Sequence, residues 1–321
     1  MAKIRVLYPA PPEKTQPRLF ATKTMLVTTV ITTVYLLLSA LLVGFKTEQL
    51  FLAGFFNLLY YASIPTRKFI TGFSIFILFW IVFDYMKAFP NYRYNTVHIG
   101  SLYDAEKRLF GIESGGRLLS PNEYWLGHTT GWLDVMSGLF YLCWIPVPLL
   151  FAVFLFYRDR AQFLYFSCTF FLVNILGFIV YYAYPAAPPW YVQQHGFAFY
   201  PHTPGNTAGL GRFDAFFNVN VFKSLYAKSS NVFAAMPSLH SSYPLVVLYF
   251  GLKNRLGLLN VFFAIVMVGI WFSAVYTSHH YILDVLAGIA CGLSGIFLFK
   301  FLLSGNNFFS RFVNRMLILI T

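Results

Sequence analysis

The chain has 321 residues, of which 58% are hydrophobic and only 11% charged, and its mean hydropathy is +0.63. A water-soluble domain, typically about 25% charged, is excluded, and a polytopic all-α membrane protein is left. The net charge of +12 comes from lysines and arginines in short clusters at segment ends, which suits membrane-flanking loops and anionic head groups and argues against nucleic acid.

Residues 1–23 are polar, carry Lys3, Arg5, Lys14, Arg18 and Lys23, and read as a cytoplasmic amino-terminal segment. The apolar run 25–45 is long and has no small-residue cleavage site after it, so it is expected to be a first span and not a signal peptide. Run 50–63, at about 14 residues, is short for a crossing and reads as a tilted span or re-entrant helix, closing an N-terminal membrane hairpin over 24–68. A core over 69–303 follows, with spans at 69–89, 133–157, 161–182, 239–252, 256–276 and 281–303, and an amphipathic cytoplasmic tail over 304–321. Hydropathy thus predicts a helical bundle of seven to eight membrane segments, six of them a core.

Two polar inserts interrupt it, at 90–132 and 184–238. In the first, YDAEKRLFGI predicts a short amphipathic helix along the interface. Cys143, Cys168 and Cys291 fall inside apolar runs without metal spacing and read as small core residues.

Charge sets the orientation. With the amino terminus cytoplasmic and eight crossings, Arg67 and Lys68, Arg158 and Arg160, Lys253 and Arg255, and Arg311 and Arg315 share the cytoplasmic side, as the positive-inside rule asks. Both inserts and all seven histidines, His98, His128, His195, His202, His240, His279 and His280, then lie on the opposite face.

Among these histidines one constellation carries chemistry. His280 and Asp284 are four apart at the mouth of an apolar run, so in a helix they share a face. His240 heads another apolar run behind Pro237 and Ser238, which suit a helix start. A chain that crosses and returns between them brings both histidines to one surface. An imidazole oriented by a carboxylate serves as nucleophile or base, and a second imidazole can protonate a leaving oxygen. Zinc held by the three residues is the rival reading, but Asp284 is spaced to orient His280, and no further ligand with metal spacing accompanies them, so neither metal nor cofactor is called for. A serine triad through Ser238 or Ser241 lacks the nucleophile-elbow pattern. A proton-coupled transporter would show two related halves, and the sequence shows no such repeat.

PSLH at 237–240 and SHHYILDVLAG at 278–288 resemble the second and third signature motifs of the type 2 phosphatidic-acid phosphatase superfamily, membrane enzymes with a six-helix core. The resemblance implies that His280 attacks phosphorus and becomes phosphohistidine, that Asp284 orients it, and that His240 protonates the leaving group. The superfamily's first motif, a lysine spaced from Arg-Pro, is replaced here by YPAAPPWY at 184–191. That box, the insert around EKRLFGI and His279 after Ser278 are similar to the inositol phosphorylceramide synthase branch, whose members transfer phosphoinositol to ceramide. The implied partners are a phospholipid donor and a lipid acceptor within the membrane, with any regulatory subunit left open. Ser238, His279, Pro188, Trp190, Arg212 and Lys223 are the implied substrate contacts, with Arg93 and Lys228 as further cations on the same face; Pro188, Pro189 and Trp190 would wall the pocket and present an interfacial ring. Simple hydrolysis of phosphatidate or an isoprenoid pyrophosphate is the alternative.

Overall fold

The computed structural model describes residues 18–227, 231–305 and 307–321; Lys3, Arg5, Lys14 and Lys228 lie outside these. The chain forms two compact units, divided between Thr71 and Gly72.

In the first unit, α1 (Thr22–Val43) and α2 (Thr47–Ala62) pack as a hairpin. Polar groups fasten it: Asn57 donates to the Thr32 hydroxyl at 2.9 Å, and the Thr28 and Tyr61 hydroxyls share a hydrogen bond. Helix α3 (Ile64–Tyr85) starts in this unit. Arg67, expected in a connector, sits in the first turn of α3 and donates to the carbonyls of Tyr60 and Leu19.

In the second unit, α3 continues from Gly72. The first insert folds into α4 (Gly100–Phe110), a hairpin of β1 (Ile112–Ser114) and β2 (Arg117–Leu119), and α5 (Pro121–Gly127). The all-α expectation missed this hairpin. Its turn, Gly115-Gly116, takes φ of 58° and 73°, the pair of left-handed conformations that a type I′ turn needs and glycine adopts without strain. Then come α6 (Gly131–Leu142), α7 (Pro146–Arg158) and α8 (Arg160–Ala183). The span predicted at 133–157 corresponds to one long apolar stretch, Gly131–Arg158, whose helix is interrupted between α6 and α7. Pro146 and Pro148 follow the break, and a proline ring with no N–H cannot continue a helix already under way.

The second insert carries α9 (Pro189–His195), α10 (Gly211–Phe217) and α11 (Val221–Tyr226). Helices α12 (Leu239–Lys253), α13 (Leu259–Tyr276), α14 (Ile282–Ser304) and α15 (Phe308–Ile320) complete the chain. Helix α12 packs against α8, α13 and α14, around a core of interlocked rings that includes Phe163, Phe166 and Phe250.

Among the described residues six helical stretches are long and apolar enough to cross a membrane: Thr22–Val43, Ile64–Ala88, Gly131–Arg158, Arg160–Ala183, Leu259–Tyr276 and Ile282–Ser304. Six candidate crossings are thus shown where seven to eight segments are expected; the other two segments are the shorter helices α2, with 16 residues, and α12, with 15. At about 1.5 Å per residue both are shorter than the roughly 30 Å of a hydrocarbon core.

Candidate active site

Three segments meet where α12 and α14 begin. The first is the Pro-Ser-Leu-His box. Ser238 precedes the first residue of α12, and its amide donates to the carbonyl of Asp284 at 2.9 Å. This close approach requires glycine at 288, because a Cβ there would lie 2.2 Å from the Ser238 carbonyl oxygen. Ser242 adds a bond to the Gly288 carbonyl at 2.6 Å. The box is thereby locked onto the first turns of α14, and His240 projects from the first turn of α12.

The second segment is the turn 277–281. Ser278 takes φ 59°, and the amides of His279 and His280 both donate to the carbonyl of Ala274. Helix α14 starts only at Ile282, so His280 is not helical and the expected shared helix face does not exist. The turn nevertheless brings His280 Nδ1 to 3.6 Å from Asp284 Oδ2. That oxygen also accepts the Tyr281 amide at 2.8 Å. On the other side of the ring, His280 Nε2 stands 3.1 Å from His240 Nδ1. The two partners of His280 therefore face opposite nitrogens and do not converge on a common point, as ligands of one metal would.

Rings surround the pair. Tyr141 and Trp144 lie 5.1 and 4.4 Å from the His240 ring centre. His279, buried, is sandwiched between Tyr141 and Tyr226 and meets the Thr207 carbonyl at 2.9 Å through Nε2. A carbonyl only accepts, so Nε2 carries the proton. Burial pushes this imidazole down to about 3, so it is neutral and braces the turn against the second insert.

The third segment is the Pro-Pro-Trp box. Pro188 and Trp190 are buried, and the Trp190 amide donates to the Ser278 carbonyl at 3.0 Å. The indole packs with Ile99, Ala187, Tyr191 and Phe233. It is a core group supporting the turn; the expected interfacial ring is not formed, since these neighbours cover it. Of the cations, Arg212 lies over the Tyr276 ring, and its Nε donates to Asp134 at 2.6 Å, which also accepts the Tyr276 hydroxyl at 2.8 Å. Lys223 and Arg93 are exposed.

Three residues that sequence reasoning did not single out hold these segments in place, all from the first insert. Buried Asn91 donates to the carbonyls of Tyr181 and Phe233. Buried Asn122 donates to Val275 and to His280 itself, at 2.8 and 3.0 Å. Glu106 accepts the amides of Ile282 and Leu283. Only Asn122 had a local signal: Ser120 and Glu123 form a capping box that fixes the start of α5.

The model of the PAP2 superfamily matches residues 117–298. Phosphoinositol dihydroceramide synthase of Bacteroides thetaiotaomicron is 43% identical over 295 residues, 91% of this chain and 97% of that protein. Inositol phosphorylceramide synthase of Candida albicans is 32% identical over 177 residues, 52% of this chain and 36% of that protein. The inositol phosphorylceramide synthase catalytic subunit of Saccharomyces cerevisiae is 29% identical over 243 residues, 73% of this chain and 59% of that one. The chain thus spans less than two thirds of either fungal protein. No solved structure matches. A family match that takes in α5 to α13 and both histidine motifs, joined to a relative similar over nearly its whole length, places this chain in the PAP2 superfamily.

Proposed function

We propose that this chain is a membrane transferase that moves a phosphoinositol-type head group from a phospholipid to a ceramide-like acceptor, through a phosphohistidine at His280. The observation that carries the mechanism is the ordered contact Asp284–His280–His240, with 3.6 Å on the Nδ1 side and 3.1 Å on the Nε2 side. A carboxylate facing Nδ1 keeps the proton there and leaves the Nε2 lone pair for attack. The donor and acceptor lipids follow the names of the relatives above.

In the first half, His280 Nε2 bonds to phosphorus, the P–O bond to diacylglycerol breaks, and His240, entering this step as the imidazolium, gives the departing oxygen its proton and becomes neutral. In the second, His240 takes the proton of the acceptor hydroxyl, that oxygen bonds to phosphorus, and the N–P bond breaks. Proton and phosphoryl balances both close without water. Ser238, His279, Pro188, Trp190, Arg212 and Lys223 are the substrate-side positions of this reading. His279 and Trp190 act in it through the turn they brace, and the guanidinium of Arg212 supplies positive charge.

The same reading puts the site on the non-cytoplasmic face. Arg158 and Arg160 at the α7–α8 turn and Lys253 at the end of α12 lie at the helix ends remote from His240, in keeping with positive-inside retention.

The test is an assay of purified protein with labelled phosphatidylinositol, with and without ceramide. Label on ceramide that depends on His280 supports the transferase. Release of inositol phosphate or diacylglycerol without acceptor makes the protein a hydrolase.

A further inference from the structure

Glu106 is fully buried on α4, and no role in phosphoryl transfer has been given to it. Its two carboxylate oxygens accept the amides of Ile282 and Leu283 at 2.9 and 3.1 Å. These are the first two amides of α14, which have no partner within the helix itself. The amide just before them, Tyr281, goes to Asp284. Three consecutive donors beside His280 are thus met by two carboxylates.

This arrangement requires a charged side chain. Both acceptors are needed at once, and a glutamine or a protonated glutamic acid offers only one, turning a donor toward an amide N–H. Among the described residues no cation is paired with it, and the two amides at the positive end of α14 are what offsets the charge. The titratable groups that interact with it are Asp284 and Tyr281, from the α14 side; on its own helix, Lys107 is turned to the Tyr103 hydroxyl at 3.1 Å. A buried carboxylate without a cation is costly for stability, so a carboxylate here serves something other than the fold.

We propose that Glu106, as a carboxylate, is a positioning residue of the transfer reaction: it fixes the first turn of α14 and so sets Asp284 behind His280. The proposal rests on His280 being the nucleophile.

Burial pushes the Glu106 carboxyl up to about 7, which gives the role a signature that a purely structural contact lacks. Its folded value lies above the unfolded one, so folding favours the proton, and stability from this group is lost as pH rises through about 7. Activity runs the other way, because only the ionised form holds both amides.

The experiment compares full-length wild type, Glu106→Gln, Ile282→Pro and the double variant in phosphatidylinositol-to-ceramide transfer across pH 5 to 9, with melting temperature followed in parallel. For Glu106→Gln the expected loss in kcat is roughly 10- to 100-fold with KM within about two-fold, and the acid limb near neutrality disappears. Ile282→Pro removes one of the two donors at the first helical position, where proline is well tolerated, and Tyr281 already has the extended backbone a following proline wants, φ -73° and ψ 160°. One acceptor then suffices, so Glu106→Gln should cost much less kcat in that background. Wild-type kcat and pH profile in Glu106→Gln would overturn the proposal, and so would a melting-temperature loss with an unchanged pH profile and no rescue by Ile282→Pro. A wild-type protein that forms no His280-dependent product overturns the parent reading and this one with it, whereas an active wild type matched by Glu106→Gln overturns this one alone.

Discussion

The amide of Ser238 and the carbonyl of Asp284 are joined at 2.9 Å, so the two histidine motifs are built on one another and not merely adjacent. The space for this bond is the missing side chain of Gly288. Gly288→Ala places a methyl 2.2 Å from the Ser238 oxygen and must part the box from α14. The expected result is a stability loss of about 1–3 kcal/mol and a fall in transfer far larger than that of an alanine placed at exposed Gly127, measured by thermal melting and lipid assay.

His280→Ala and Asp284→Asn should abolish turnover in folded protein. His240→Ala should separate from them, because its proton matters most for a poor leaving group. With lipid substrate it should be inactive, and with an aryl phosphodiester, whose leaving group needs no proton, a His280-dependent burst should return. Equal loss of His240 and His280 variants on both substrates would argue against the assigned roles.

Asn122 donates to Val275 and His280 carbonyls. Asn122→Ala leaves the His280 carbonyl without its side-chain donor, while the Val275 carbonyl keeps the Ser278 amide, a cost of about 1–3 kcal/mol. Asn122→Asp, which brings acceptors to acceptors, should be worse in both melting temperature and kcat.

His279 lies neutral between two tyrosines, its imidazole held down at about 3 by burial. A group whose folded pKa lies below its unfolded value of about 6.5 contributes stability above that pH, lost as pH falls through the window down to about 3. Replacing it by glutamine should flatten the acid side of the melting-temperature profile and reduce turnover less than His280→Ala does. Turnover abolished at His279 as fully as at His280 would contradict the bracing role.

Hydropathy made the bundle legible, and residue spacing made its centre legible, since both are local properties. Six long apolar helices, the Pro-Ser-Leu-His box at the head of α12 and the His-His turn before α14 could all be read from neighbouring residues. What could not be read was set at a distance. Glu106 meets Ile282 and Asn122 meets His280 across about half the chain, and no periodicity encodes such a partner. The pairing of Arg212 could not be read either, because its carboxylate, Asp134, sits on another helix. His280 was placed in a helix because four-residue spacing suits one; the turn reaches a similar approach with Ser278 in a left-handed conformation.

The two carboxylates at the head of α14 also bear on which phosphates can enter. A helix start normally offers a partial positive charge and free amides to an anion, but here Glu106 and Asp284 already occupy the first amides. The neighbouring His279 is neutral, which leaves Arg212, partly paired with Asp134, to supply the positive charge. A doubly charged phosphomonoester would meet strong repulsion in such surroundings, while a phosphodiester, with a single charge spread over two oxygens and a bulky alcohol on each side, would meet less. The chemistry of head-group exchange between lipids is the chemistry of diesters.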